Sequence, residues 1–352
     1  MVEKDLSNLT PGLVSVGLPV YNGADYLREA LDSLLAQDYP DFELIISDNC
    51  STDETGEIAR EYAARDPRVR YSRTDRNIGP ILNWTRVYRL ARGEFFMWAA
   101  HDDLRAPRSL SLCIEALREN PRAVMCCPDV RFIDERGHDI TDSFPFECIH
   151  PTGATAFERM RKVARSTAWV DVYALVRTPA LASTRLGQIT VWGGDVVLIS
   201  ELSMLGEVVE APGALFEYRI FQEKTVEGVA DSLNTLGRKV GVSWIGFAEE
   251  VLESVKLAPL GAWEKLKISG MFAFESCLRN PSLRWGIRHD GFLGLGGALR
   301  RGEYRRALRL AALGSMSQTY GLYERVRSSA SYRGRRIKRA LLARESVPSG
   351  RE

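Results

Sequence analysis

Short apolar runs alternate with amphipathic segments along the first part of the chain. The runs have the length and the β-branched content of buried strands, whereas the segments between them place apolar residues at helical spacing. This pattern predicts strands at 13–18, 42–47, 69–72, 94–99 and 123–130, and helices at 24–36, 51–65, 78–91 and 107–120. Strands that alternate with helices at this spacing predict a doubly wound sheet in which these strands are parallel.

A capping box is predicted at the start of the second helix. Ser51 and Glu54 stand three residues apart, immediately before an amphipathic segment. In such a box the serine hydroxyl accepts a hydrogen bond from the third residue of the helix, and the glutamate side chain reaches back to the serine. We therefore expect Ser51 to cap a helix that runs to about Arg65.

The remainder of the chain has a mixed pattern followed by a helical one. Between 131 and 225 the pattern predicts a strand at 168–176, a helix at 195–205 and a strand pair or hairpin at 207–220. Beyond Asp231 the apolar spacing is helical to the end. We expect an α/β domain at 1–225 and a helical C-terminal region at 226–352.

Composition and cysteine spacing indicate a cytoplasmic globular protein. The chain has 352 residues, of which 45% are hydrophobic and 26% charged, enough for a sizeable core. No apolar run reaches the roughly 18 residues of a membrane span, and the polar residues 1–10 do not resemble a signal peptide. The six cysteines form no CxxC pair and the four histidines show no ligand spacing, so neither a zinc site nor disulfides are expected. The adjacent Cys126 and Cys127 are expected on a buried strand.

Basic charge is concentrated in the C-terminal tail, although the formal net charge is only +1. Thirteen Lys or Arg residues stand against three Glu between 300 and 345, and they alternate with apolar residues at helical spacing in 299–313 and 326–342. Basic amphipathic helices can lie on an anionic membrane surface. Packing on the acidic remainder of the chain, or a homo-oligomer contact, would explain the charge as well. No motif accompanies it that would indicate nucleic-acid binding.

Polar residues follow three of the predicted strands at the point where each strand ends. Tyr21 and Asn22 follow the first strand, Asp48 the second, and Asp102 and Asp103 the fourth. In a doubly wound sheet, ligands bind beyond the carboxyl ends of the strands. These side chains therefore form the first candidate site.

Each of these residues can be interpreted as a ligand-binding residue or as a residue with a structural role. The adjacent carboxylates of Asp102 and Asp103 repel one another unless a divalent cation neutralises them, and Mg²⁺ or Mn²⁺ with a diphosphate would do so. Asp48 could accept a hydrogen bond from the imide of uracil or thymine, and Tyr21 could stack on the base. The structural alternatives are a solvated turn or helix cap for the aspartates and a turn at Asn22.

The motifs at these strand ends resemble those of family-2 glycosyltransferases with the GT-A fold. Residues 14–22 resemble the opening motif of that family, 47–55 its second motif, and 76–94 its third. His101, Asp102 and Asp103 resemble its metal-binding DXD-type motif, with His101 at a place where Asp is frequent. The resemblance covers about 12–220. It implies a doubly wound mixed sheet flanked by helices and followed by a helical C-terminal region.

The resemblance also implies a role for each matching position. Asp103 would be the direct metal ligand, with Asp102 on the ribose or the metal. Tyr21 would stack on the base and Asp48 would bind its imide. The positions implied to bind the nucleotide-sugar are Pro19, Tyr21, Asn22, Asp48, Arg76, Asn77, Asp102 and Arg219.

A catalytic base is implied at Asp195. The family has an Asp, often preceded by Glu, at the start of a helix in this region, and here Gly194 takes the place of the Glu. A direct inverting transfer needs one carboxylate to take the proton of the acceptor hydroxyl. The structural alternative is a helix cap.

Arg219 resembles the arginine of the family's last motif and could pair with the diphosphate or form a structural salt bridge. Trp169 and Trp192 could form a sugar platform or belong to the core.

The sequence thus predicts an inverting, metal-dependent glycosyltransferase that uses a UDP- or dTDP-sugar and a glycan or lipid-linked hydroxyl acceptor. Its place would be in cell-surface or secondary-metabolite glycan synthesis, such as polysaccharide biosynthesis, in the cytoplasm at the inner face of the membrane. One alternative is a nucleotide-sugar-binding or scaffold protein that has lost catalysis. Another is a sugar nucleotidyltransferase, although residues 16–25 lack the glycine-rich basic loop of that class.

Overall fold

The computed structural model describes residues 4–279 except 167, 169, 190–192 and 222–243. The chain divides into two compact units, Met1–Phe272 and Ala273–Glu352; the sheet and all but the last of the helices below belong to the first unit. Trp169, Trp192 and the basic tail at 300–345 lie outside the described residues. No helix in the described part of the chain is both long enough and apolar enough to cross a membrane.

Eight strands of the described residues form one sheet in the order β3-β2-β1-β4-β7-β6-β8-β5. The strands are β1 (Thr10–Val20), β2 (Phe42–Asp48), β3 (Val69–Arg73), β4 (Gly93–Trp98), β5 (Leu104–Arg105), β6 (Ala123–Ile133), β7 (Leu175–Arg177) and β8 (Glu207–Arg219). Strands β3, β2, β1 and β4 are parallel, as the sequence predicts. Strand β7 runs antiparallel to both β4 and β6, and β5 runs antiparallel to β8. The doubly wound mixed sheet of the GT-A type is therefore confirmed.

Helices flank the sheet and continue beyond it. They are α1 (Ala24–Leu35), α2 (Thr55–Arg65), α3 (Pro80–Leu90), α4 (Ser109–Glu119), α5 (Ala156–Arg165), α6 (Thr178–Ala182), α7 (Gly194–Leu205), α8 (Trp244–Leu257) and α9 (Ala262–Arg279). Short 3-10 turns occupy Thr141–Ser143 and Val170–Tyr173. The helical C-terminal region predicted from the sequence is thus present in its described part.

The core forms where the apolar periodicity of strands and helices meets. Alternate residues of β1, including Val16 and Leu18, pack with Leu27 and Leu31 of α1 in one buried cluster. Helix α3 lies very close to β1, because a Cβ at Gly17 would be 2.9 Å from Cβ of Val87. A larger residue at this position would push the helix off the sheet, so the glycine sets the distance between them.

Helix α8 is attached to α7 by a buried polar network. Arg185 donates from Nε to Oε1 of Glu201 at 2.7 Å and from a terminal nitrogen to Oε2 of Glu250 at 2.7 Å. Ser254 of α8 also donates to Oε1 of Glu201. The start of the C-terminal helical region is therefore joined to the α/β part by charge-assisted hydrogen bonds.

Three local predictions were wrong. Ser51 does not cap α2, which begins at Thr55; its hydroxyl accepts a hydrogen bond from the backbone N–H of Asn22 instead. The segment 168–176 is a 3-10 turn followed by the short β7 rather than one strand. Residues 207–220 form one long strand rather than a hairpin, with a register shift opposite β6 at Pro128/Asp129. In each case tertiary hydrogen bonds override the local pattern.

Candidate active site

The carboxyl ends of β1, β2 and β3 meet at one edge of the sheet. Val20 is the partner of Asp48 across β1 and β2, and Asp48 is in turn the partner of Arg73 on β3. Pro19 stands beside Ser47 in the same ladder. Parallel pairing in register therefore brings side chains that are distant in sequence to a common edge, as doubly wound sheets generally do.

Asp48 is fully buried and held as a carboxylate. It accepts hydrogen bonds from the backbone N–H of Ser51 at 2.7 Å, from the hydroxyl of Tyr71 at 2.8 Å and from Arg73 at 2.8 Å. Burial alone would raise the pKa of Asp48, but these hydrogen bonds and the charge of Arg73 lower it below its ordinary value. The group is therefore ionised at neutral pH.

The loops after β1 and β2 hold each other in place. Asn22 adopts a positive φ of 51°, a conformation that asparagine tolerates better than most residues, and its Oδ1 accepts from the backbone N–H of Thr52 at 2.8 Å. The N–H of Gly23 donates to Oγ1 of Thr55 at 2.9 Å. Tyr21 next to them is 45% exposed, so its ring is accessible to a ligand.

Asn77 is positioned by Asn49, a strand-end residue to which the sequence analysis assigns no role. Nδ2 of Asn49 donates to Oδ1 of Asn77 at 2.9 Å, and Oδ1 of Asn49 accepts from the N–H of Ile78 at 2.8 Å. Arg76 beside them is exposed. Asn49 is itself buried at the end of β2, so it ties the loop before α3 to the sheet edge. The sequence feature that could have indicated this role of Asn49 is its place as a polar residue directly after Asp48.

Asp102 and Asp103 lie after β4 and are held by the end of β8. Both are buried, with relative exposures of 9% and 6%. The backbone N–H of Arg219 donates to Oδ1 of Asp103 at 2.8 Å, and Nε of Arg219 donates to the carbonyl of Asp102 at 2.8 Å. Carboxylate oxygens on a fixed backbone are the donor type that Mg²⁺ and Mn²⁺ prefer, so these two residues fit a divalent metal.

The guanidinium of Arg219 is engaged with the protein on several sides. It donates to the carbonyls of Asp134 and Glu135 at 3.2 and 3.1 Å and to Oε2 of Glu29 at 2.8 Å. Its Cζ lies 4.8 Å from the ring centre of Tyr26. With a side-chain exposure of 2%, Arg219 acts as a buried connector between four segments of the chain.

His101 packs against the loop after β1. A Cβ on Gly23 would lie 2.4 Å from Cδ2 of the imidazole, so only glycine leaves room for the ring there. Nδ1 of His101 is 3.9 Å from Oδ1 of Asp102. The imidazole of His101 thus lies close to Gly23 in the loop after β1 and stands beside Asp102.

Asp195 lies in the first turn of α7, after Gly193 in a left-handed conformation with φ of 79°. The side chain is accessible through a cavity, yet protein atoms surround it, and this desolvation raises its pKa above the ordinary value. Oδ1 accepts from the N–H of Val196 at 2.9 Å. A carboxyl with a raised pKa on a cavity wall has the properties of a proton acceptor.

Two tyrosines stand among the acidic groups. Burial raises the pKa of Tyr173 and of Tyr218, and the negative charges of Asp102, Asp103 and Asp195 raise both further. Both tyrosines also line the cavity that contains Asp195. The acids after β4 and the acid on α7 are therefore close enough in space to act on the same phenols.

The cavity has a volume of about 590 Å³ and largely apolar walls. Among the described lining residues, the polar side chains are those of Thr85, Asp195 and the two tyrosines. Its aromatic residues are Trp84, Phe132, Phe144, Phe146, Tyr173, Tyr218 and Phe247. Trp84 and Phe144, which the sequence reading did not single out, stack on Trp98 and Phe132 respectively.

The first part of the chain is similar to family-2 glycosyltransferases. Residues 15–169 match the family model described as glycosyl transferase family 2. An uncharacterized glycosyltransferase of Rickettsia typhi is 36% identical over 130 residues, which is 36% of this chain and 39% of that protein. The chondroitin synthase of Escherichia coli is 33% identical over 133 residues, or 38% of this chain and 19% of that enzyme. The matches thus span about two fifths or less of these relatives, and the family-model match ends before Asp195 and Arg219.

Solved structures share the fold at low sequence identity. S. aureus TarS 1–349 in complex with UDP-GlcNAc is 16% identical with a TM-score of 0.59, covering 88% of this chain and 91% of that one. The mannosyltransferase PcManGT from Pyrobaculum calidifontis, in complex with GDP-Man and Mn²⁺, is 18% identical with a TM-score of 0.51. That match covers 93% of this chain and 86% of the mannosyltransferase. At these identities the likeness concerns the fold.

Tyr71→Phe should destabilise the protein because it removes a hydrogen bond to the buried carboxylate of Asp48. We expect a loss of about 1.5–3 kcal/mol near neutral pH, measured as the urea midpoint. Because the pKa of Asp48 is lower in the folded protein than in the unfolded chain, its charge stabilises the fold at pH values above the unfolded-state pKa. This stabilisation is lost as the pH falls through the folded-state pKa. The deficit of the variant should therefore shrink in acid.

Tyr62→Phe is the matched control for this measurement. It makes the same chemical change, but the hydroxyl of Tyr62 donates at 2.7 Å to Asp32, which is exposed. A hydrogen bond to a solvated carboxylate contributes less, so the control should lose about 1 kcal/mol or less. Equal losses in the two variants, or a deficit that does not change with pH, would contradict the role assigned to Asp48.

Proposed function

We propose that this chain is an inverting, metal-dependent glycosyltransferase that uses a nucleoside diphosphate sugar of the UDP or dTDP type. The observation that carries the proposal is that Arg219 at the end of β8 holds Asp103, while the adjacent Tyr218 lines the same cavity as Asp195 on α7. The family-model match over 15–169 supports the same class.

The nucleotide would bind at the ends of β1 and β2. The exposed ring of Tyr21 is suited to stacking on a base. Asp48 is ionised, which is the state that accepts a hydrogen bond from the imide of uracil or thymine. Because its carboxylate is fully buried, the base would reach it by displacing the exposed side chain of Arg73. Arg76 is exposed beside Asn77 and would face the base or the diphosphate, with Pro19 and Asn22 shaping the floor of this site.

Asp103 and Asp102 would hold Mg²⁺ or Mn²⁺. The ion, when bound, supplies positive charge against the diphosphate that leaves. Arg219 fixes the orientation of Asp103 through its backbone N–H. Because its guanidinium is engaged with Glu29 and two backbone carbonyls, we assign Arg219 a positioning role in place of the diphosphate contact considered from the sequence.

Asp195 would take the proton of the acceptor hydroxyl. The oxygen that loses the proton attacks the anomeric carbon while the bond from that carbon to the diphosphate breaks. One base is sufficient for this direct displacement, and the product has inverted configuration. The raised pKa of Asp195 brings the carboxylate nearer in basicity to what proton transfer at neutral pH requires.

The acceptor would be a hydroxyl carried on an apolar body. The cavity beside Asp195 offers few polar side chains among its described lining residues. A glycan acceptor buried there would leave several hydroxyls without partners, at about 1–3 kcal/mol each. A lipid or an aromatic aglycone avoids that cost, and a lipid acceptor would agree with membrane contact by the basic tail, which remains a prediction from the sequence.

Asp103→Asn should abolish the metal dependence of donor binding and lower turnover by roughly 100-fold. The amide keeps an oxygen for the N–H of Arg219 but loses the charge that a cation needs. Calorimetry of UDP binding with and without Mn²⁺ measures the effect. Glu119→Ala, an exposed acid at the end of α4, should behave as the wild type. Turnover by the wild type in excess chelator would contradict the metal role.

Asp195→Asn should lower kcat by roughly 10²–10⁴-fold while the donor KM stays within about twofold. In the wild type, kcat/KM should fall as the pH drops through a value above the ordinary aspartate pKa of about 3.9, because the base becomes protonated. The variant should lack this acid limb at saturating metal. If the variant bound donor but showed the wild-type rate, Asp195 would not be the base.

A wild type that binds donor and metal without transfer or hydrolysis would favour a scaffold that has lost catalysis.

Acceptors with apolar bodies should be used at least about 10-fold more efficiently than a soluble oligosaccharide, as measured by kcat/KM. A long-chain alcohol in detergent and a simple phenol distinguish a lipid from an aromatic aglycone. Phe146→Ser, at a cavity residue that is 53% exposed, should weaken use of the apolar acceptor without changing the donor KM. Leu6→Ser, at a residue 40% exposed elsewhere, should change neither. A preference for the oligosaccharide would contradict this acceptor class.

A further inference from the structure

Three side chains outside the proposed active site bring metal-ligating atoms together. A sulfur of Cys127, a ring nitrogen of His150 and a carboxylate oxygen of Asp171 all lie within 4.8 Å of one another. Cys127 belongs to β6, His150 to the segment between β6 and α5, and Asp171 to the 3-10 turn at Val170–Tyr173. None of the three has a role in the proposed transfer reaction.

Cys148 stands next to His150 and is the candidate for a fourth ligand. Sγ of Cys148 is 3.9 Å from Nδ1 of His150. Around a tetrahedral zinc ion, a thiolate sulfur and an imidazole nitrogen are about 3.6 Å apart, given metal bonds of about 2.3 and 2.0 Å. Nδ1 of His150 is 2.6 Å from Oδ1 of Asp171, and these two atoms would separate to about 3.3 Å as neighbouring ligands of a tetrahedral ion.

The surroundings of these groups are unusual for side chains that carry charge. Cys127 is fully buried and Asp171 is 3% exposed, and a buried carboxylate is costly unless it is paired. His150 is half-buried, and its Nδ1 lies 2.6 Å from Oδ1 of Asp171 and 3.9 Å from Sγ of Cys148. Without a metal, the cluster therefore consists of two thiols, an imidazole and a carboxylate, and the side-chain hydrogen bonds described for these groups join them to one another.

We infer that Cys127, Cys148, His150 and Asp171 form a structural zinc site. Two sulfurs, one nitrogen and one oxygen are four donors of the types that bind zinc, which is four-coordinate and tetrahedral in structural sites. Thiolate and imidazole ligands favour zinc, whereas the oxygen ligands at Asp103 suit Mg²⁺ or Mn²⁺, so the two sites would take different metals. Zinc would replace the protons of the two thiols, and these protons are released to solvent.

Such a site would fix a wall of the proposed acceptor cavity. Phe144 and Phe146 precede Cys148 in the same segment, and Val170, Val172 and Tyr173 flank Asp171 in the 3-10 turn; all five line the cavity. These segments have little regular secondary structure to order them. A metal that joins both of them to β6 would hold the aromatic side chains in position without taking part in the reaction.

Metal content of the full-length, tag-free protein tests the inference. Elemental analysis after purification without chelators, or after zinc titration against a chromophoric chelator, should give about one zinc per chain. Cys127→Ser and His150→Gln should each lose it. Cys126→Ser is the matched control, since Cys126 is the adjacent and equally buried cysteine of the same strand. Asp103→Asn should also retain zinc, which separates this site from the proposed active-site metal.

A cobalt-substituted wild-type protein provides a readout that does not depend on how a variant folds. Co²⁺ bound here should show a thiolate-to-cobalt charge-transfer band and tetrahedral ligand-field absorption, because two of its ligands are sulfurs. Less than about a tenth of a zinc per chain after titration would overturn the inference. Zinc retained by Cys127→Ser, or cobalt spectra without thiolate absorption, would also overturn it.

Discussion

Arg219 at the end of β8 makes the contact on which the site depends. Its backbone N–H orients Asp103 and its Nε holds the carbonyl of Asp102, across 116 and 117 residues of sequence. The same side chain reaches Glu29 on α1 and the carbonyls after β6. A buried guanidinium is tolerated only where its donors are satisfied, so the position of the two aspartates is set by everything that Arg219 contacts. The position of the two candidate metal ligands is therefore determined by β8.

The surroundings of two acids shift their pKa values in opposite directions, downward for Asp48 and upward for Asp195. Three donors stabilise the charge of Asp48 and lower its pKa, which keeps it a hydrogen-bond acceptor at any physiological pH. Asp195 has backbone N–H contact but lies among apolar groups, and desolvation raises its pKa. Carboxyl groups whose surroundings separate their pKa values take different roles in catalysis. The roles proposed for these two aspartates, base recognition at the end of β2 and proton transfer on α7, thus follow from their environments rather than from the residue type.

The apolar cavity and the proposed zinc site belong to the same part of the molecule. The segment between β6 and α5 and the 3-10 turn before β7 supply both the aromatic lining and the candidate ligands. Family-2 similarity is detected over 15–169, while α7 and β8 contribute Asp195 and Arg219 from outside that match. The family-model match accordingly covers the strand ends at Asp48 and Asp102 and part of the cavity wall, while Asp195 and Arg219 lie beyond it.

The amino-acid sequence by itself determined the parallel half of the sheet, the helices around it and the strand-end residues of the candidate site. Period-2 and period-3.6 patterns are local, and the carboxyl ends of parallel strands must share one edge, so Asp48, Asp102 and Asp103 were predicted to lie together from spacing alone. Local patterns misassigned Ser51 and the segments at 168–176 and 207–220, where long-range hydrogen bonds decide the conformation. Only the tertiary structure decided that Arg219 is a buried connector, that Asp195 opens into an apolar cavity, and that Cys127 meets His150 and Asp171. The reason is that these properties depend on burial and on contacts between segments far apart in the chain, which no local spacing encodes.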